Sequence, residues 1–510
     1  MSDIFERFYL PEDAGLSSVA IANFLQACEK IQYRLRTLNI IRHGKALVEV
    51  ARHPFQSTDK RLVYSISKTF TATAIGLAVQ ERLLRINDKL LDYFPECQGL
   101  DMDSRARNIT LKDVLTMSTG HERDTIGDMC NNDTVPWPEI FFTRKMAYEP
   151  GEHFVYNSGG TYMLSEVISR VTGGNLMKWL REKLFTPLNI ADVSWDVHGN
   201  VNTGAWGLLI SPRDLCKLGI LYLDKGVYNG KRLLAEEWVE EASAPHVFTN
   251  SCGSAGWGKR YGYQIWENTP GSYRADGAFG QYCMVFPQQD MVIVTTAEEV
   301  DGTRIFPLVE HYILENLSDS VGRRDAWAYE YLQKELCRWE SPSIYAGTSS
   351  YMQNLLQNST YMIKNTDSEE YHTLHFLTSN SRLRLAIDNK QILNSSCVTD
   401  IEGETPFVIE LPTNSPLRGD EQRSRSWFYS AHHAWVDQDT LLLTVCWRET
   451  GHYQTWKFLF SGDGLDLWIT NSVKGMFELF GAVSDQNVCF SDMRFNGTVQ
   501  KQYLEPLCQV

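Results

Sequence analysis

A serine and a lysine lie three positions apart in the tetrapeptide Ser65-Ile66-Ser67-Lys68. Their types and their spacing suggest catalytic chemistry. On a helix, residues at i and i+3 lie on one face, so the Lys68 amine would reach the Ser65 hydroxyl. A serine hydroxyl is a poor nucleophile until a base takes its proton. At a helix N-terminus, free N–H groups would stabilise an oxyanion beside Ser65 and disfavour a protonated Lys68. The spacing therefore predicts a nucleophile and its base, acting through a covalent acyl-enzyme.

The same S-x-x-K pattern occurs a second time, at Ser57-Thr58-Asp59-Lys60. That segment is polar, and no apolar helix begins on it. The segment after Ser65 has the i, i+4, i+7, i+8 spacing that predicts a helix with one buried face, at Phe70, Ala74, Leu77 and Ala78. We therefore assign the nucleophile to Ser65.

A tyrosine triplet, Tyr156-Asn157-Ser158, precedes a helical pattern from Thr161 to Val171 that ends at Gly173-Gly174. A tyrosinate or a hydrogen-bonded phenol at this place would carry a proton between Ser65 and the leaving group. Taken singly, the triplet is better explained by a core tyrosine followed by helix-capping polar residues.

The third element is Ala275-Asp276-Gly277-Ala278, on a predicted strand. A glycine here would let a substrate carbonyl approach the strand edge. The N–H of Ala278 would then pair with that of Ser65 as an oxyanion hole, in which each donor contributes roughly 3–4 kcal/mol. The alternative is a strand glycine at a bulge.

These three elements, in this order, resemble the β-lactamase-related serine hydrolases, in the branch of class C β-lactamases, D-aminopeptidases and esterases, which is also similar to penicillin-binding proteins. Further phrases shared with that family lie between residues 15 and 320, at Leu115–Gly120, Glu149–Gly151, Trp206–Leu208 and Ser211–Leu215. The resemblance implies a transpeptidase-like antiparallel sheet with a helical cluster beside it and the site between them.

The resemblance also implies roles for individual residues. Ser65 would be the nucleophile, Lys68 its partner and Tyr156 the general base. Ser158 and Gly277 would contact substrate, and the backbone of Ala278 would supply the second oxyanion donor. No cofactor is implied.

Two positions depart from the family pattern. Ala275 stands where relatives acting on β-lactams or D-Ala-D-Ala ends carry a Lys or His that contacts the substrate carboxylate, and Ser158 stands where class C enzymes carry Asn. Arg274 is adjacent, but strand alternation points it to the other face. We therefore expect an ester, amide or small-peptide hydrolase. Two alternatives stay open: a catalytically silent binding or sensory module, and an aminopeptidase or carboxypeptidase specific for D-amino acids.

The order of elements predicts an α+β catalytic domain over residues 1–320. Strands are predicted at both ends of it, with helices between them, so its sheet would join the two termini of the domain. The predicted strands are Leu38–Arg42, Ala46–Ala51, Tyr261–Trp266, Tyr273–Phe279, Gln281–Phe286 and Met291–Thr296.

Beyond this domain, a helical linker is predicted over residues 321–344, after a helix from Arg304 to Leu317. Residues 345–510 carry short alternating segments separated by tight turns, which predicts an all-β, barrel-like or sandwich domain. Its tryptophans are expected in the core: Trp427, Trp435, Trp447, Trp456 and Trp468.

Composition excludes several classes of function. The formal charge of −15 over 510 residues argues against nucleic-acid binding. The N-terminus lacks the layout of a signal peptide and no apolar run approaches the ~20 residues of a membrane span, so we expect a cytoplasmic protein without a membrane partner. The 11 cysteines include no C-x-x-C pair, and His432-His433 has no third ligand at useful spacing, so we expect no metal. The expected partner is a small-molecule or short-peptide substrate, and the oligomeric state is open.

Overall fold

The computed structural model describes residues 4–132, 134–249, 257–341, 350, 352–356, 359–366, 371–379, 382–388, 390–396, 401–405, 427–472 and 493–500. Contacts separate these residues into two compact units, the first within residues 4–340 and the second from residue 341 onward.

The helices of the first unit are α1 (Ser18–Lys30), α2 (Ile66–Gln80), α3 (Leu111–Leu115), α4 (Ile126–Cys130), α5 (Trp137–Thr143), α6 (Ser158–Thr172), α7 (Leu176–Leu180), α8 (Pro212–Leu223), α9 (Glu236–Ser243), α10 (Phe306–Leu308) and α11 (Ala326–Glu340). Its strands are β1 (Leu35–Arg42), β2 (Lys45–Ala51), β3 (Arg61–Leu62), β4 (Ser194–Trp195), β5 (Val197–His198), β6 (Val201–Asn202), β7 (Leu208–Ile210), β8 (Val227–Tyr228), β9 (Lys231–Arg232), β10 (Val247–Phe248), β11 (Arg260–Tyr261), β12 (Trp266–Glu267), β13 (Tyr273–Gly277), β14 (Gln281–Phe286) and β15 (Met291–Ala297).

An eight-stranded antiparallel sheet organises this unit, in the order β10-β11-β12-β13-β14-β15-β1-β2. Strand β1 pairs with β15, for example Ile40 with Ile293, so the sheet does join the two ends of the unit as predicted. The predicted α+β arrangement, an antiparallel sheet built from both ends of the unit with helices packed on it, is thereby confirmed.

Each face of the sheet covers a separate core, because successive strand side chains point to opposite sides. On β14, Cys283 and Val285 face the core shared with α2 and α6. Met284 and Phe286 face the core shared with α1 and α11.

Local signals placed several elements correctly. Thr110 followed three residues later by Asp113 is the sequence pattern of a capping box, and the box forms at the start of α3, where each side chain accepts from the other's backbone N–H. Helix α6 ends at Gly173, whose φ of 70° is the left-handed conformation that favours glycine.

The prediction of one strand over Tyr261–Trp266 is wrong, because β11 and β12 are two short strands joined by a tight turn. Gln264 in that turn has a φ of 57°. Its side-chain amide donates to the carbonyl oxygens of Val114 and Leu115, at 3.0 Å each. This contact with a helix remote in sequence outweighs the β-propensity of the segment.

The strand predicted over Tyr273–Phe279 ends at Gly277 instead, and Phe279 has a φ of 66° in the following turn. The helix predicted from Arg304 to Leu317 is broken. Only α10 is α-helical there, and it is flanked by turns of 3₁₀ and π helix.

The segment predicted as a helical linker contains α11, which packs on the first unit. Gln26 of α1 donates to the Tyr331 hydroxyl at 2.8 Å, and Arg338 pairs with Glu29. The N–H of His53 also donates to the Trp339 carbonyl oxygen, at 3.0 Å.

The second unit contains α12 (Met352–Leu355), β16 (Ser359–Asn365), β17 (Tyr371–Ser379), β18 (Arg382–Ile387), β19 (Lys390–Ser396), β20 (Ile401–Thr405), β21 (Trp427–Trp435), β22 (Thr440–Trp447), β23 (Tyr453–Ser461), β24 (Gly464–Asn471) and β25 (Met493–Gln500). The strands form one sheet in the order β19-β18-β17-β16-β25-β24-β23-β22-β21-β20. Strand β19 also pairs with β21 at Ser396 and His432, so the sheet curls into a nearly closed barrel, as the sequence predicts.

Alternate strand residues fill the core of this barrel. Trp435, Trp447 and Trp456 belong to it, as expected. Trp468 does not: it is half-buried, and the Lys457 ammonium lies 5.6 Å from its ring centroid. The Trp427 side chain lies outside the described residues. So does the segment Phe407–Leu411, whose alternating pattern predicts a strand.

Within the described residues, every helix is too short or too polar to cross a membrane. The same residues hold no group of three His, Cys, Asp or Glu side chains placed to bind a metal ion. His433 is buried, and burial together with His432 lowers its pKa to about 4.

Candidate active site

Ser65 lies at the N-terminus of α2, in the centre of the first unit. Residues 66–78 of α2 are buried on every side. The helix is therefore more buried than the single apolar face in the sequence predicts. The Ser65 side chain makes no capping hydrogen bond with the helix, which leaves its hydroxyl for other partners.

Lys68 contacts Ser65 directly. Its Nζ donates to Ser65 Oγ at 3.0 Å and to the carbonyl oxygen of Ala205 at 2.9 Å. Both side chains are buried. The carbonyl of Ala205, which no sequence pattern indicated, therefore orients the amine towards the hydroxyl.

Burial lowers the pKa of Lys68 to about 7, and the nearby carboxylates of Asp124 and Asp276 oppose that shift. Removing an ammonium group from water disfavours its charged form, which is the direction seen here. A large fraction of Lys68 is therefore neutral near pH 7 and able to accept the Ser65 proton.

Tyr156 lies with its ring face beside the Lys68 amine. Its ring centroid is 4.8 Å from Lys68 Nζ, and its ring stacks on Trp266 at 6.1 Å. Burial raises the pKa of Tyr156, and a hydrogen bond with Ser65 opposes that shift. The phenol is thus protonated near neutral pH, so that it can donate a hydrogen bond or relay a proton.

The residues after Tyr156 begin helix α6. Asn157 caps it, with Oδ1 accepting from the Gly160 N–H at 3.2 Å. Ser158 is buried, its N–H donates to Asp124 Oδ1 at 2.9 Å, and its Oγ makes no hydrogen bond with the described residues.

Asp124 is a site residue that sequence reasoning missed. Its Oδ1 accepts from the N–H groups of Ile126, Ser158 and Gly159 at 2.9–3.3 Å. Burial raises its pKa, while those hydrogen bonds and Lys68 oppose the shift. It stands in an irregular loop without a motif, and only the folded chain brings it near Lys68.

Gly277 is required by packing of the protein backbone. A Cβ at this position would lie 2.3 Å from the carbonyl oxygen of Val63, two residues before Ser65. The sequence-based reason, an approaching substrate carbonyl, is therefore not needed to explain the glycine. The following residue, Ala278, accepts a hydrogen bond from Gln281 Nε2 at 3.1 Å through its carbonyl oxygen.

The strand face at Ala275 carries no cation. Ala275 is buried and packs in the core next to α2. Arg274 points to the opposite face, as alternation predicts, with its guanidinium 4.6 Å from the Phe306 ring centroid. It donates to Asp276 Oδ2 at 2.8 Å and to Asn268 Oδ1 at 3.2 Å.

The second S-x-x-K sequence lies in a turn. Ser57 does not begin a helix, and Lys60 instead pairs with Asp192 at 2.7 Å. Only the motif at Ser65 therefore combines a helix N-terminus with a lysine bonded to the serine hydroxyl.

The loop from His121 to Met146 carries three aromatic residues whose types would suit the acyl or leaving-group side of a cleft. Trp137, Phe141 and Phe142 instead pack into the hydrophobic core. Asp124 is the residue of this segment that acts electrostatically on Lys68.

Comparison with known proteins agrees with the fold. The β-lactamase family model matches residues 37–317, more than half of the chain, so the chain belongs to the β-lactamase family.

A curated relative, 6-aminohexanoate-dimer hydrolase of Paenarthrobacter ureafaciens, is 27% identical over 50% of this chain and 70% of its own length. Lovastatin esterase of Penicillium rubens is 28% identical over 29% of this chain and 42% of its own length. Among solved structures, the octameric penicillin-binding protein homologue from Pyrococcus abyssi covers 94% of this chain and 99% of its own, at 15% identity and a TM-score of 0.47.

Proposed function

We propose that this chain is a cytoplasmic serine hydrolase that cleaves an ester, amide or small-peptide bond through a Ser65 acyl-enzyme. The observation that carries the proposal is the 3.0 Å hydrogen bond from Lys68 Nζ to Ser65 Oγ, made by a lysine whose pKa is lowered to about 7. A nucleophile bonded to a base that is neutral at the working pH is the arrangement that covalent catalysis needs.

In the acylation step, Ser65 Oγ bonds to the substrate carbonyl carbon while its proton passes to neutral Lys68. The carbonyl π electrons move to the oxygen, which becomes an oxyanion. When the tetrahedral intermediate collapses, the leaving alcohol or amine takes a proton from Lys68, relayed by the Tyr156 hydroxyl. In deacylation, a water molecule gives a proton to Lys68 while its oxygen bonds to the acyl carbon. The bond from that carbon to Ser65 Oγ then breaks, Ser65 regains a proton from Lys68, and the acid is released. Lys68 is the base in this scheme because burial keeps Tyr156 protonated.

Two backbone N–H groups, of Ser65 and Ala278, are proposed to hold the oxyanion. The close approach of Val63 to Gly277 supports this, because it brings the segment before Ser65 against the strand that leads to Ala278. Such preorganised donors strengthen their hydrogen bonds as negative charge develops.

The proposed substrate is a small molecule or short peptide that is not a β-lactam. Ala275 cannot contact a substrate carboxylate, and Arg274 is buried on the opposite face with Asp276. The buried Ser158 side chain, at the second departure from the family pattern, is proposed to orient substrate through its Oγ. The names of the two curated relatives, an esterase and a hydrolase of a 6-aminohexanoate dimer, are compatible with ester or amide cleavage.

The silent-module alternative is less well supported, since a binding module does not need a lysine with a lowered pKa bonded to a serine hydroxyl. The D-amino-acid peptidase alternative differs only in substrate. Activity on D-Ala-p-nitroanilide without activity on esters would favour it.

Labelling with a fluorophosphonate probe and turnover of p-nitrophenyl esters and anilides test the proposal. Wild-type chain should be labelled and active, and Ser65→Ala should abolish both. Ser57→Ala is the matched control, since it removes the serine of the second S-x-x-K sequence. Labelling that persists in Ser65→Ala, or a wild-type chain with no labelling and no turnover on the full panel, would refute the assignment.

A further inference from the structure

Two aromatic residues adjoin the two proposed oxyanion donors. Tyr64 immediately precedes Ser65, and Phe279 immediately follows Ala278. Tyr64 and Ser65 belong to the segment that leads into α2. Ala278 and Phe279 belong to the segment that leads out of β13, which is far away in sequence.

Both aromatic residues have left-handed backbone. The φ angle is 48° at Tyr64 and 66° at Phe279. Bulky residues seldom adopt this conformation, and it persists where surrounding contacts impose it, often at functional sites.

The contact that links the two residues is between their rings. The ring centroids lie 5.2 Å apart with an interplanar angle of 71°, an edge-to-face pair. Each side chain is 3% exposed, so water does not separate the rings.

Each aromatic residue is tied to a different part of the fold. The Tyr64 carbonyl oxygen accepts from the Ser67 N–H at 3.1 Å, in the first turn of α2. The Phe279 carbonyl oxygen accepts from the Glu299 N–H at 3.1 Å, just beyond the end of β15. The ring pair therefore connects the segment that enters helix α2 to the turn that follows β13, one residue from each proposed donor.

We propose that the Tyr64–Phe279 ring pair positions the oxyanion hole by setting the separation of the Ser65 and Ala278 N–H groups. Tyr64 and Phe279 are positioning residues in this role, since they act through the neighbouring backbone. The inference rests on the proposed acyl-transfer function.

The test compares Tyr64→Leu and Phe279→Leu with the wild type, in kcat and KM for a p-nitrophenyl ester and in the affinity for phenylboronic acid. The boronate forms a tetrahedral serine adduct whose oxygen occupies the oxyanion hole. We expect kcat to fall about 10- to 100-fold, as for displaced catalytic groups and donors. KM should stay within about 2-fold, because the oxyanion contact is made in the transition state. Affinity for the boronate should fall in parallel with kcat.

Three further variants separate positioning from general loss of packing. Phe286→Leu is the matched control, because it removes a buried ring from another edge-to-face pair of the first unit, with Trp257 at 6.3 Å and 69°. Tyr64→Phe retains the ring and should keep kcat within about 2-fold. The double variant Tyr64→Leu/Phe279→Leu should lose no more than either single variant, since both break one contact.

If the leucine variants fold poorly, Tyr64→Gly removes the ring at a backbone angle that suits glycine and should lose kcat to the same extent. Losses no larger than that of Phe286→Leu, or losses that multiply in the double variant, would overturn the positioning role while wild-type turnover still supports the hydrolase. A wild-type chain that neither turns over nor labels would overturn both.

Discussion

The carbonyl oxygen of Val63 lies against the α-carbon of Gly277, so closely that an added Cβ would be 2.3 Å from it. This contact brings the chain that enters helix α2 against the sheet. Any larger residue at position 277 must displace either β13 or the segment around Val63. The atom it would meet is a backbone oxygen, which cannot move aside as the end of a flexible side chain can.

Gly277→Ala should therefore lower kcat by about 100-fold, the scale of a displacement near 1 Å in a catalytic group. Ester turnover measured beside the melting temperature checks this, and both should fall. Gly99→Ala is the matched control, because a Cβ at Gly99 meets no atom within 4 Å. Wild-type kcat in Gly277→Ala would show that the close approach is not required.

The activity should depend on the titration of Lys68. Because its neutral form accepts the Ser65 proton, kcat/KM should rise as pH increases through about 7, the lowered pKa of Lys68, and level off above it. Asp124 raises that pKa, so Asp124→Asn should move the rise to lower pH while its Oδ1 still accepts the backbone N–H groups. A pH–rate profile of both proteins measures this, and a rise near pH 10 would contradict a buried neutral lysine.

Tyr156→Phe removes the hydroxyl group and keeps the aromatic ring. The variant keeps the stacking on Trp266 and the ring face beside Lys68, but it cannot relay a proton. We expect kcat to fall about 100- to 10,000-fold, the usual contribution of proton transfer, with little change in melting temperature. Tyr148→Phe, at a tyrosine that stacks on His153, should leave kcat unchanged. Full activity of Tyr156→Phe on a poor leaving group would exclude the relay.

Gln264 should be important for stability. Besides the bonds to Val114 and Leu115, its Oε1 accepts from Thr161 Oγ1 and its carbonyl oxygen accepts from Thr69 Oγ1, each at 2.8 Å. Gln264→Leu removes the three side-chain bonds, keeps the backbone bond to Thr69 and leaves the buried Thr161 hydroxyl without its acceptor, which should cost about 3 kcal/mol of unfolding free energy.

Urea unfolding of the whole chain, followed through the transition of the first unit, measures this loss of unfolding free energy. Gln80→Leu, which removes a single bond of 3.5 Å at a partly buried residue, should cost less than about 1 kcal/mol. Equal losses in the two variants would show that the Gln264 bonds contribute no more than one weak surface contact.

Much of the site could be predicted because its signals are local. The i and i+3 spacing of Ser65 and Lys68 holds on any helix, and the structure places Lys68 Nζ on the serine hydroxyl. The capping box at Thr110 and the glycine at the end of α6 likewise involve contacts within a few residues. The alternation of β13 correctly put Arg274 on the face opposite Ala275.

Other features depend on segments that meet only after folding. The carbonyl of Ala205 and the carboxylate of Asp124 approach Lys68 from loops that carry no motif. The turn at Gln264 interrupts a predicted strand because its amide bonds to helix α3, and no periodicity within residues 261–266 contains that contact.

The sequence by itself predicted an α+β domain and, through its resemblance to the β-lactamase-related hydrolases, the candidate set of Ser65, Lys68 and Tyr156. Such motifs can be recognised because their spacing is a property of neighbouring residues. The tertiary structure decided the electrostatics and the close packing. Lys68 has a lowered pKa because the surrounding segments exclude water from it. Gly277 is needed because the backbone of Val63 passes 2.3 Å from where its Cβ would be. Both effects arise from surfaces brought together across the chain, and they depend on distances that no local pattern specifies.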